Sequence, residues 1–418
     1  MAESPAPSSA DGIDLPADSI AAVLAAVHEH GPGKGPHSEG PVRPEPPAVP
    51  GTPLSSLAAW GDFGATLARL LTDVLTPTRW EPHNPFNDHR AYPSPRAAYL
   101  IEPWLRIGIS AWRVDPVRRT LAGPGSPRPA RRVRLDLRRR PDRLPAGYGS
   151  LAEALAELEA GHLMGALAER APGHGLTLVP DPAGVTITPG ASAAVALPLL
   201  PSWRSAGLGP RGVSADPRPL PESAARAVAE ALTDPPPGSP VATSRLRVRL
   251  ALRNVTGLPD GWYALSPLEP RRCDDRHPPS PLEVRQPGAA MAAVQAAFTY
   301  PPEQIHVGGM NLAVLITADV GRAVREEGPQ AYPALLRAAG ALAQHACTAA
   351  AVQGLFCRPV RSVREASLEA AAGAPAAHDL LYLALVGRPR FASLSYDLTP
   401  LRLETDRPGR EGRRRGRS

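Results

Sequence analysis

Lysine is nearly absent from this chain: Lys34 is the single example among 418 residues, and the other 45 of the 46 basic residues are arginines. With 53 prolines and an excess of alanine, this bias is typical of a GC-rich genome rather than of a function. Three cysteines, Cys273, Cys347 and Cys357, exclude a disulfide framework and favour a reducing compartment. No apolar run approaches the ~18 residues of a membrane span, and the acidic, polar N-terminus lacks the pattern of a signal peptide. We therefore expect a cytoplasmic protein without a membrane partner.

Positive charge is concentrated at one end of the chain. The net charge is +6, and residues 405–418 carry +4 of it, with six arginines against Asp406 and Glu411. The rest is near neutral, and only 5% of the residues are aromatic. Nucleic-acid surfaces combine basic patches with interleaved aromatic side chains, which this chain lacks. We expect a solvated, disordered tail and no nucleic-acid partner.

Motifs for metals and nucleotides are also missing. Two histidine pairs, His28 with His30 and His83 with His89, have no cysteine or carboxylate partner at ligand spacing, so no metal site is expected. Residues 207–212 (GLGPRG) match the dinucleotide fingerprint, but no strand leads into them and prolines follow where a helix should begin. Neither a GxSxG elbow nor a P-loop occurs. These observations exclude several common enzyme classes.

Two segments of similar character dominate what is present. Residues 328–358 have apolar side chains at helical spacing and are otherwise rich in alanine and glycine, which predicts a helix with a closely packed neighbour. Residues 149–175 have the same character. Each begins at a glycine that is followed twelve residues later by another, Gly149 with Gly161 and Gly328 with Gly340. The pattern predicts two copies of one domain.

Strand patterns alternate with these helices. Residues 101–116 form a strand-like run, and residues 176–200 predict a strand pair joined at Pro189-Gly190. The strand near residues 244–255 leads into a Pro-Asp-Gly turn at residue 259. Continuous apolar runs predict two buried strands, Met310–Thr317 and Leu380–Val386. Strands and helices in both halves predict an α+β fold.

These patterns suggest four regions. Residues 1–50 are rich in proline, serine and glycine and are expected to be mostly disordered. Residues 51–200 and 201–395 are predicted to be the two units, and residues 396–418 a disordered basic tail.

Several strings resemble one family. RNVTGLPDGWYALSP, AYPALLRAAG, QGL and LLYLALVGRP in the second half, and AYPSPRAAYLIEPWL, GISAWRVDP and LEAGHLMGALAE in the first, resemble the nitroreductase-like flavoenzymes. Among these they look most like the SagB/McbC-type dehydrogenases, which oxidise azolines in ribosomal peptide natural products. The matches run from about Leu54 to Phe391, and their order is right in both halves.

The resemblance implies FMN at the interface of two nitroreductase-like units, here fused into a pseudo-dimer. Each half has kept a different part of the site: the second half an arginine- and serine-rich phosphate segment, the first half a Pro-Ser turn that would touch the flavin from the other unit. We therefore expect one composite site, and the loss of the other. Its cofactor-binding candidates are Arg211, Ser214, Arg218, Arg388 and Arg390 with Tyr92, Pro93, Ser94 and Arg96.

The catalytic position departs from the family. Azoline dehydrogenases carry a Lys-Tyr pair before the glycine that precedes the helix, whereas this chain has Glu326-Glu327 before Gly328 and Gly147-Tyr148 before Gly149. A desolvated Glu326 or Glu327 could act as the base, and Tyr148 as an acid. The alternative is that the two glutamates are solvated residues stabilised by the helix dipole.

Other side chains have a structural interpretation. Cys347 and Cys357, like Trp104 and Trp112, are expected in the core. His162 is either a core histidine with satisfied hydrogen bonds or a catalytic one, because the family often has histidine there.

The resemblance implies an FMN-dependent oxidoreductase that converts a peptide thiazoline or oxazoline into the aromatic azole, with a peptide substrate and a cyclodehydratase as possible partners. A further homodimer is also possible. Loss of the lysine keeps open a second reading, a non-catalytic scaffold subunit of a peptide-modifying complex with or without flavin. A generic NAD(P)H-dependent nitroreductase is the third.

Overall fold

A computed structural model describes residues 51–81, 89–191, 213–240, 245–265, 282–390 and 396–398. The predicted disorder of residues 1–50 and of the end of the tail lies outside these residues, as do residues 207–212. The seven helices are α1 Asp62–Leu75, α2 Leu151–Arg170, α3 Glu222–Thr233, α4 Ala290–Ala297, α5 Val320–Glu327, α6 Ala331–Val352 and α7 Glu365–Ala371, counted over the described residues.

The strands of the first half form a seven-stranded antiparallel sheet in the order β1-β5-β4-β3-β6-β8-β7. Gly108, in the left-handed region at φ +57°, reverses the chain between β3 and β4, so the predicted strand-like run is a hairpin. One face of the sheet packs on α1 and α2. The strands are β1 Thr52–Pro53, β3 Ile101–Ile107, β4 Ser110–Asp115, β5 Thr120–Ala122, β6 Val133–Arg139, β7 Leu176–Asp181 and β8 Gly184–Pro189.

The second half builds a six-stranded antiparallel sheet in the order β12-β11-β10-β14-β16-β15. The two predicted apolar strands are its neighbouring strands β14 and β16 and are buried along their whole length, which confirms that prediction. Helices α3 and α6 cover one face, and α4 and α7 the other. The strands are β10 Leu246–Leu252, β11 Gly261–Leu265, β12 Leu282–Pro287, β14 Leu312–Ala318, β15 Phe356–Val360 and β16 Asp379–Gly387.

Four short strands lie outside the two sheets. They are β2 Arg79–Trp80, paired with β17 Tyr396–Asp397, and β9 Val213–Ser214, paired with β13 Ile305–His306. The first pair joins the end of the described chain to the first half. The second pair belongs to the second half and borders the site described below.

The same strand order recurs in the two sheets. Without its edge strand β1, the first sheet has six strands, from β5 to β7, and the second sheet has six, from β12 to β15. In both sheets, the third strand along the chain lies at one edge and is followed by the second, first, fourth, sixth and fifth. In each sheet the long helix follows the strand at the fourth position, β6 or β14, and precedes the two strands beyond it.

The two long helices, α2 and α6, pack on each other through glycine. A Cβ on Gly161 would lie 2.0 Å from the carbonyl oxygen of Arg337, and one on Gly340 would lie 2.0 Å from that of Leu158. Contacts of this kind are possible only for glycine, so the predicted close approach is confirmed. A buried ion pair, Glu157 with Arg337 at 2.6 Å, ties the helices together.

The predicted turn at Pro189-Gly190 is wrong. The β7–β8 hairpin reverses at residues 182–183, where an Asp181 carboxylate oxygen accepts a hydrogen bond from the Ala183 amide at 2.9 Å. Gly190 lies at the open end of the hairpin and donates to the Gly175 carbonyl. The chain also reverses between β10 and β11 as predicted, but not at Pro-Asp-Gly. The turn lies at residues 255–258, where the Leu258 amide donates to the Val255 carbonyl at 3.2 Å, and Gly261 already belongs to β11.

Candidate functional site

The structure brings Ser214 and Arg388 into one place. Ser214 ends β9, and the residue after it, Ala215, bridges to Pro389 directly after β16. The contact is close because Gly387 has no side chain: a Cβ there would lie 2.9 Å from that of Ala215. Ser214 is buried, and the Nε of Arg388 is buried without a hydrogen-bond partner among the described residues.

The other predicted phosphate ligands are placed differently. Arg218 forms an ion pair with Asp216 at 2.7 Å, and its side chain is 71% exposed, as expected of a solvated arginine. Arg390 is exposed at the end of a described range. Arg211 lies outside the described residues. Arg218 lowers the pKa of Asp216. Arg388 is also close enough to Asp216 to contribute to this lowering, to a smaller extent.

The Pro-Ser segment of the first half is a strained loop. Arg96, Ala97 and Tyr99 have φ values of 53°, 51° and 49°, which side-chain-bearing residues rarely adopt. The Ser94 hydroxyl holds the loop by donating to a Glu159 carboxylate oxygen at 2.6 Å and accepting from the Tyr99 amide at 2.7 Å. Strain of this kind gathers at functional sites and persists only where the surroundings enforce it.

The three predicted flavin contacts at residues 92–94 differ in their exposure. The Tyr92 side chain is fully buried, with its ring edge-on to that of Tyr99 at 5.5 Å, and it belongs to the core of the first half. Pro93 and Ser94 are half-buried. Ser94 is therefore better exposed to a neighbouring group than Tyr92.

Glu159 is a member of this site that sequence reasoning missed. It is 1% exposed on α2, and besides Ser94 it accepts a hydrogen bond from the Ile101 amide at 3.1 Å. Burial raises the pKa of Glu159 to about 7, against the lowering effect of its hydrogen bonds. Its sequence context gave little signal, because α2 is rich in leucine and alanine but carries three further glutamates, Glu153, Glu157 and Glu169.

Tyr148 lies beside the same loop. It is buried just before Gly149, and its hydroxyl is hydrogen-bonded to the Arg96 side chain. Burial raises the pKa of Tyr148, and Arg96 partly offsets this. The tyrosine therefore stays protonated near neutral pH. The structure thus unites a predicted catalytic residue with a predicted cofactor-binding one.

One residue of the second half, Tyr300, lies close to this group, and Arg358 lies close to Tyr300; neither was predicted. Tyr300 is close enough to interact electrostatically with both Tyr148 and Arg358. Burial lowers the pKa of Arg358, with Tyr300 opposing the effect. The only signal in the sequence was a lone arginine in the apolar strand β15.

Glu326 and Glu327, unlike Tyr148, lie at the surface. Both form ion pairs with Arg245, and their side chains are 44% and 47% exposed. Arg322 and Arg245 lower the pKa of Glu326. The role predicted for these residues as a base requires desolvation, which the structure does not provide. Their exposure fits the alternative of solvated carboxylates. They are, however, the last two residues of α5, where the helix dipole does not stabilise a carboxylate, so the predicted dipole effect is wrong.

The remaining candidates are structural. His162 is 1% exposed and hydrogen-bonded to Gln344 and Tyr382, at 3.2 Å in each case, so it is a core histidine with satisfied hydrogen bonds. Cys347, Cys357 and Trp112 are buried as predicted. Trp104 is only half-buried, under the guanidinium of Arg138.

Within the described ranges, no group of histidine, cysteine or carboxylate side chains could hold a metal ion, and no helix is long and apolar enough to cross a membrane. Ser214 and Arg388 fit a phosphate group, because a buried guanidinium Nε without an acceptor can donate to one. Asp216 opposes this, since it already offers Arg388 a negative charge.

No protein-family profile matches the sequence, and no curated protein matches it. Among solved structures, a candidate nitroreductase from Anabaena variabilis superposes with a TM-score of 0.65 over 88% of this chain and 99% of that chain, at 14% identity. The chain has the nitroreductase fold. This confirms the predicted α+β, nitroreductase-like fold class, and an alignment of that extent includes both sheets.

Two further structures align with about half of this chain at low TM-scores. The microcin synthetase McbBCD complex of E. coli with truncated pro-MccB17 bound is 17% identical over 43% of this chain and 68% of that chain, with a TM-score of 0.34. A candidate nitroreductase in complex with FMN from Desulfovibrio desulfuricans is 19% identical over 50% and 94%, with a TM-score of 0.28.

Proposed function

We propose that this chain is an FMN-dependent oxidoreductase in which residues 51–200 and 201–395 are two copies of a nitroreductase unit that share one composite flavin site. The common strand order of the two sheets supports the duplication. So do the contacts between α2 and α6. Gly340 lies 179 positions after Gly161 (340 minus 161), and Arg337 lies 179 after Leu158, so the two glycine contacts are related by exchanging the helices. This reciprocity is the signature of a twofold interface.

The observation that carries the proposal is the meeting of the two halves at the strained loop. Gln344 of the second half donates to the Ala91 carbonyl, just before this loop, at 3.1 Å. Tyr300 of the second half is close enough to Tyr148, the partner of Arg96, to contribute after burial to its raised pKa. In the composite site, Ser214 and Arg388 would hold the phosphate, together with Arg211 and Arg390. Pro93, Ser94 and Arg96 would border the ring system from the other half, as the sequence resemblance implies, and Tyr92, buried in the core, would support their loop.

The protonation state and contacts of these residues indicate their roles. Bound FMN would supply the hydride acceptor or donor. Tyr148, protonated at neutral pH and oriented by Arg96, suits proton donation rather than proton removal. Ser94 and Glu159 fix the loop that borders the site. The reaction implied by the sequence resemblance is oxidation of a peptide azoline to the azole.

Two specific observations favour other functions. Exposure of Glu326 and Glu327 leaves azoline oxidation without a desolvated base at that position, which favours a scaffold subunit. A protonated Tyr148 favours a reductase, since reduction of a nitro group or quinone consumes protons. We place azoline oxidation first because of the sequence resemblance.

The first test is the absorption spectrum of the purified protein. We expect the bands of oxidised flavin (~370 and ~450 nm, a general property of the cofactor) at one FMN per chain. Arg388→Ala should weaken FMN binding about 10- to 150-fold, as for loss of a charge-assisted hydrogen bond of ~1.5–3 kcal/mol. Arg285→Ala is the matched control and should leave binding unchanged, because Arg285 is 51% exposed, is paired with Glu283 and lies on β12 at the other edge of the sheet.

The results of these tests distinguish the three candidate functions. A protein that is colourless and takes up no FMN ends the enzyme proposal and leaves the scaffold. If flavin is bound, turnover of an azoline peptide without NAD(P)H supports the dehydrogenase. Turnover only of nitroaromatics or quinones with NAD(P)H supports the reductase.

A further inference from the structure

A second polar cluster lies near the C-terminal ends of α2 and α6. His345 on α6 is 3% exposed, and its Nδ1 lies 2.6 Å from a Glu169 carboxylate oxygen on α2. Its Nε2 lies 3.0 Å from the Ser239 hydroxyl, in the loop before β10. The Thr348 hydroxyl donates to the other oxygen of Glu169 at 2.7 Å. Three separate segments thus converge on one histidine.

The hydrogen bonds fix the tautomer of the neutral imidazole. A carboxylate only accepts, so the proton of neutral His345 lies on Nδ1, and Nε2 is left to accept from the Ser239 hydroxyl. Thr348 in turn fixes the carboxylate. A hydroxyl, a histidine and an orienting carboxylate in this sequence of contacts are the arrangement that activates serine nucleophiles in unrelated folds.

The loop that carries Ser239 is held firmly. Three prolines, residues 235–237, precede Gly238, whose φ of +82° requires glycine. A Cβ on Gly238 would lie 3.1 Å from the Leu178 carbonyl of the first half, so the loop presses on strand β7. The Ser239 amide donates to the Pro236 carbonyl. Ser239 itself is only half-buried, so solvent reaches the residue while His345 and Glu169 stay covered.

We propose that Ser239 is a nucleophilic serine, activated by His345 and Glu169, that accepts acyl groups from activated carboxylic esters. The Ser239 Oγ forms a bond to the acyl carbon as the bond to the leaving alkoxide or phenoxide breaks. His345 Nε2 takes the hydroxyl proton and passes it to the leaving group. Water then releases the acid by the same route in reverse. No oxidant, metal or flavin is involved, so this inference does not rest on the proposed function.

The test uses the full-length protein and a fluorophosphonate, which forms a stable adduct with activated serines. We expect a mass gain of one phosphonyl group, mapped to Ser239, and hydrolysis of p-nitrophenyl acetate above the buffer rate. Ser239→Ala should abolish both. His345→Gln should slow labelling by about a hundredfold or more, the usual contribution of a general base. Ser367→Ala, at an exposed serine on α7, is the matched control and should leave both unchanged.

Folding of each variant is checked by its thermal unfolding. If His345→Gln does not fold, Thr348→Val serves instead: it removes the bond to Glu169 but keeps the shape of the side chain, and it should slow labelling measurably. Absence of an adduct on Ser239 overturns the proposal. So does an adduct whose rate is the same in the folded His345 or Thr348 variant as in the parent protein.

Discussion

Glu159 is a carboxyl group with almost no access to water, held by Ser94 and by the backbone of the strained loop. Because burial raises its pKa from the ordinary 4.5 to about 7, the native state binds a proton that the unfolded chain has released. Stability from this group is complete below pH 4.5 and is lost as the pH rises to about 7. The loss is roughly 3 kcal/mol at most, from 1.36 kcal/mol per pKa unit.

Glu159→Gln should remove this pH dependence, because an amide keeps the shape of the protonated acid and does not titrate. The measurement is the free energy of unfolding in urea at pH 5 and at pH 8, for the parent and the variant. We expect the free energy of unfolding of the variant, relative to that of the parent, to be higher at pH 8 than at pH 5. An equal difference at both pH values would show that Glu159 is ionised in the native state over the whole range.

At this scale the sequence predicts some of the site and misses the rest for a physical reason. Resemblance was enough to pick out Ser214, Arg388 and Tyr148, and the structure gives each of them a neighbour from the predicted set. Glu159 and Arg358 were missed because a charged residue within an apolar helix or strand is recognised as buried only when the covering layer is known. Conversely, Glu326 and Glu327 have a suitable sequence position but are exposed, since Arg245 of another strand end holds them at the surface.

Between elements, the glycine contacts of α2 and α6 determine how close the two helices lie. Gly161→Ala should destabilise the protein by about 1–3 kcal/mol, the usual cost of overpacking, because its Cβ meets the Arg337 backbone and cannot be accommodated by a side-chain rotation. Gly321→Ala on α5 is the control: its Cβ meets the ends of two side chains, Arg325 at 3.4 Å and Asp319 at 3.8 Å, and no backbone, and alanine favours the helix by roughly 0.5–1 kcal/mol.

The comparison is made by urea unfolding of both variants. We expect opposite signs, a loss for Gly161→Ala and no loss for Gly321→Ala. Equal small effects would mean that α2 and α6 can move apart without cost.

Element prediction succeeded where one signal dominated. The long helices follow from apolar spacing, and β14 and β16 from unbroken apolar runs. The hairpin of β7 and β8 contains two turn signals, an Asp-Pro-Ala-Gly stretch at residue 181 and the Pro-Gly pair at residue 189. The first makes the turn because the Asp181 side chain closes it. Choosing between the two requires the pairing with β6, which a local pattern does not contain.

On the scale of the whole molecule, each sheet has its own core, but the core of the second half extends onto a helix of the first. Ala154 and Leu158 of the first half belong to the same apolar cluster as the α6 face of the second sheet, and the buried Glu157–Arg337 pair crosses the same boundary. Separating the halves would expose this surface and take from the buried Arg337 its carboxylate partner, which is costly, whereas Glu157 would keep its ion pair with Arg139. We expect a single cooperative unfolding transition.

Scanning calorimetry of the full chain tests this. The calorimetric and van't Hoff enthalpies should agree, as they do for all-or-none unfolding. Two resolved transitions would mean that each half is stable without the other.

The contacts between α2 and α6 also disfavour the pairing of either helix with a second copy of itself. His162 is hydrogen-bonded to Gln344, and the position opposite, Gly165 against Ala341, is filled by two small residues. If α2 met a second α2 in the same geometry, His162 would face Gly165 across a gap with its hydrogen bond unmade. If α6 met a second α6, two Gln344 side chains would occupy the space that Gln344 now shares with Gly165. Each helix is therefore a selective partner for the other, and a chain being synthesised beside its neighbours is biased towards closing on itself.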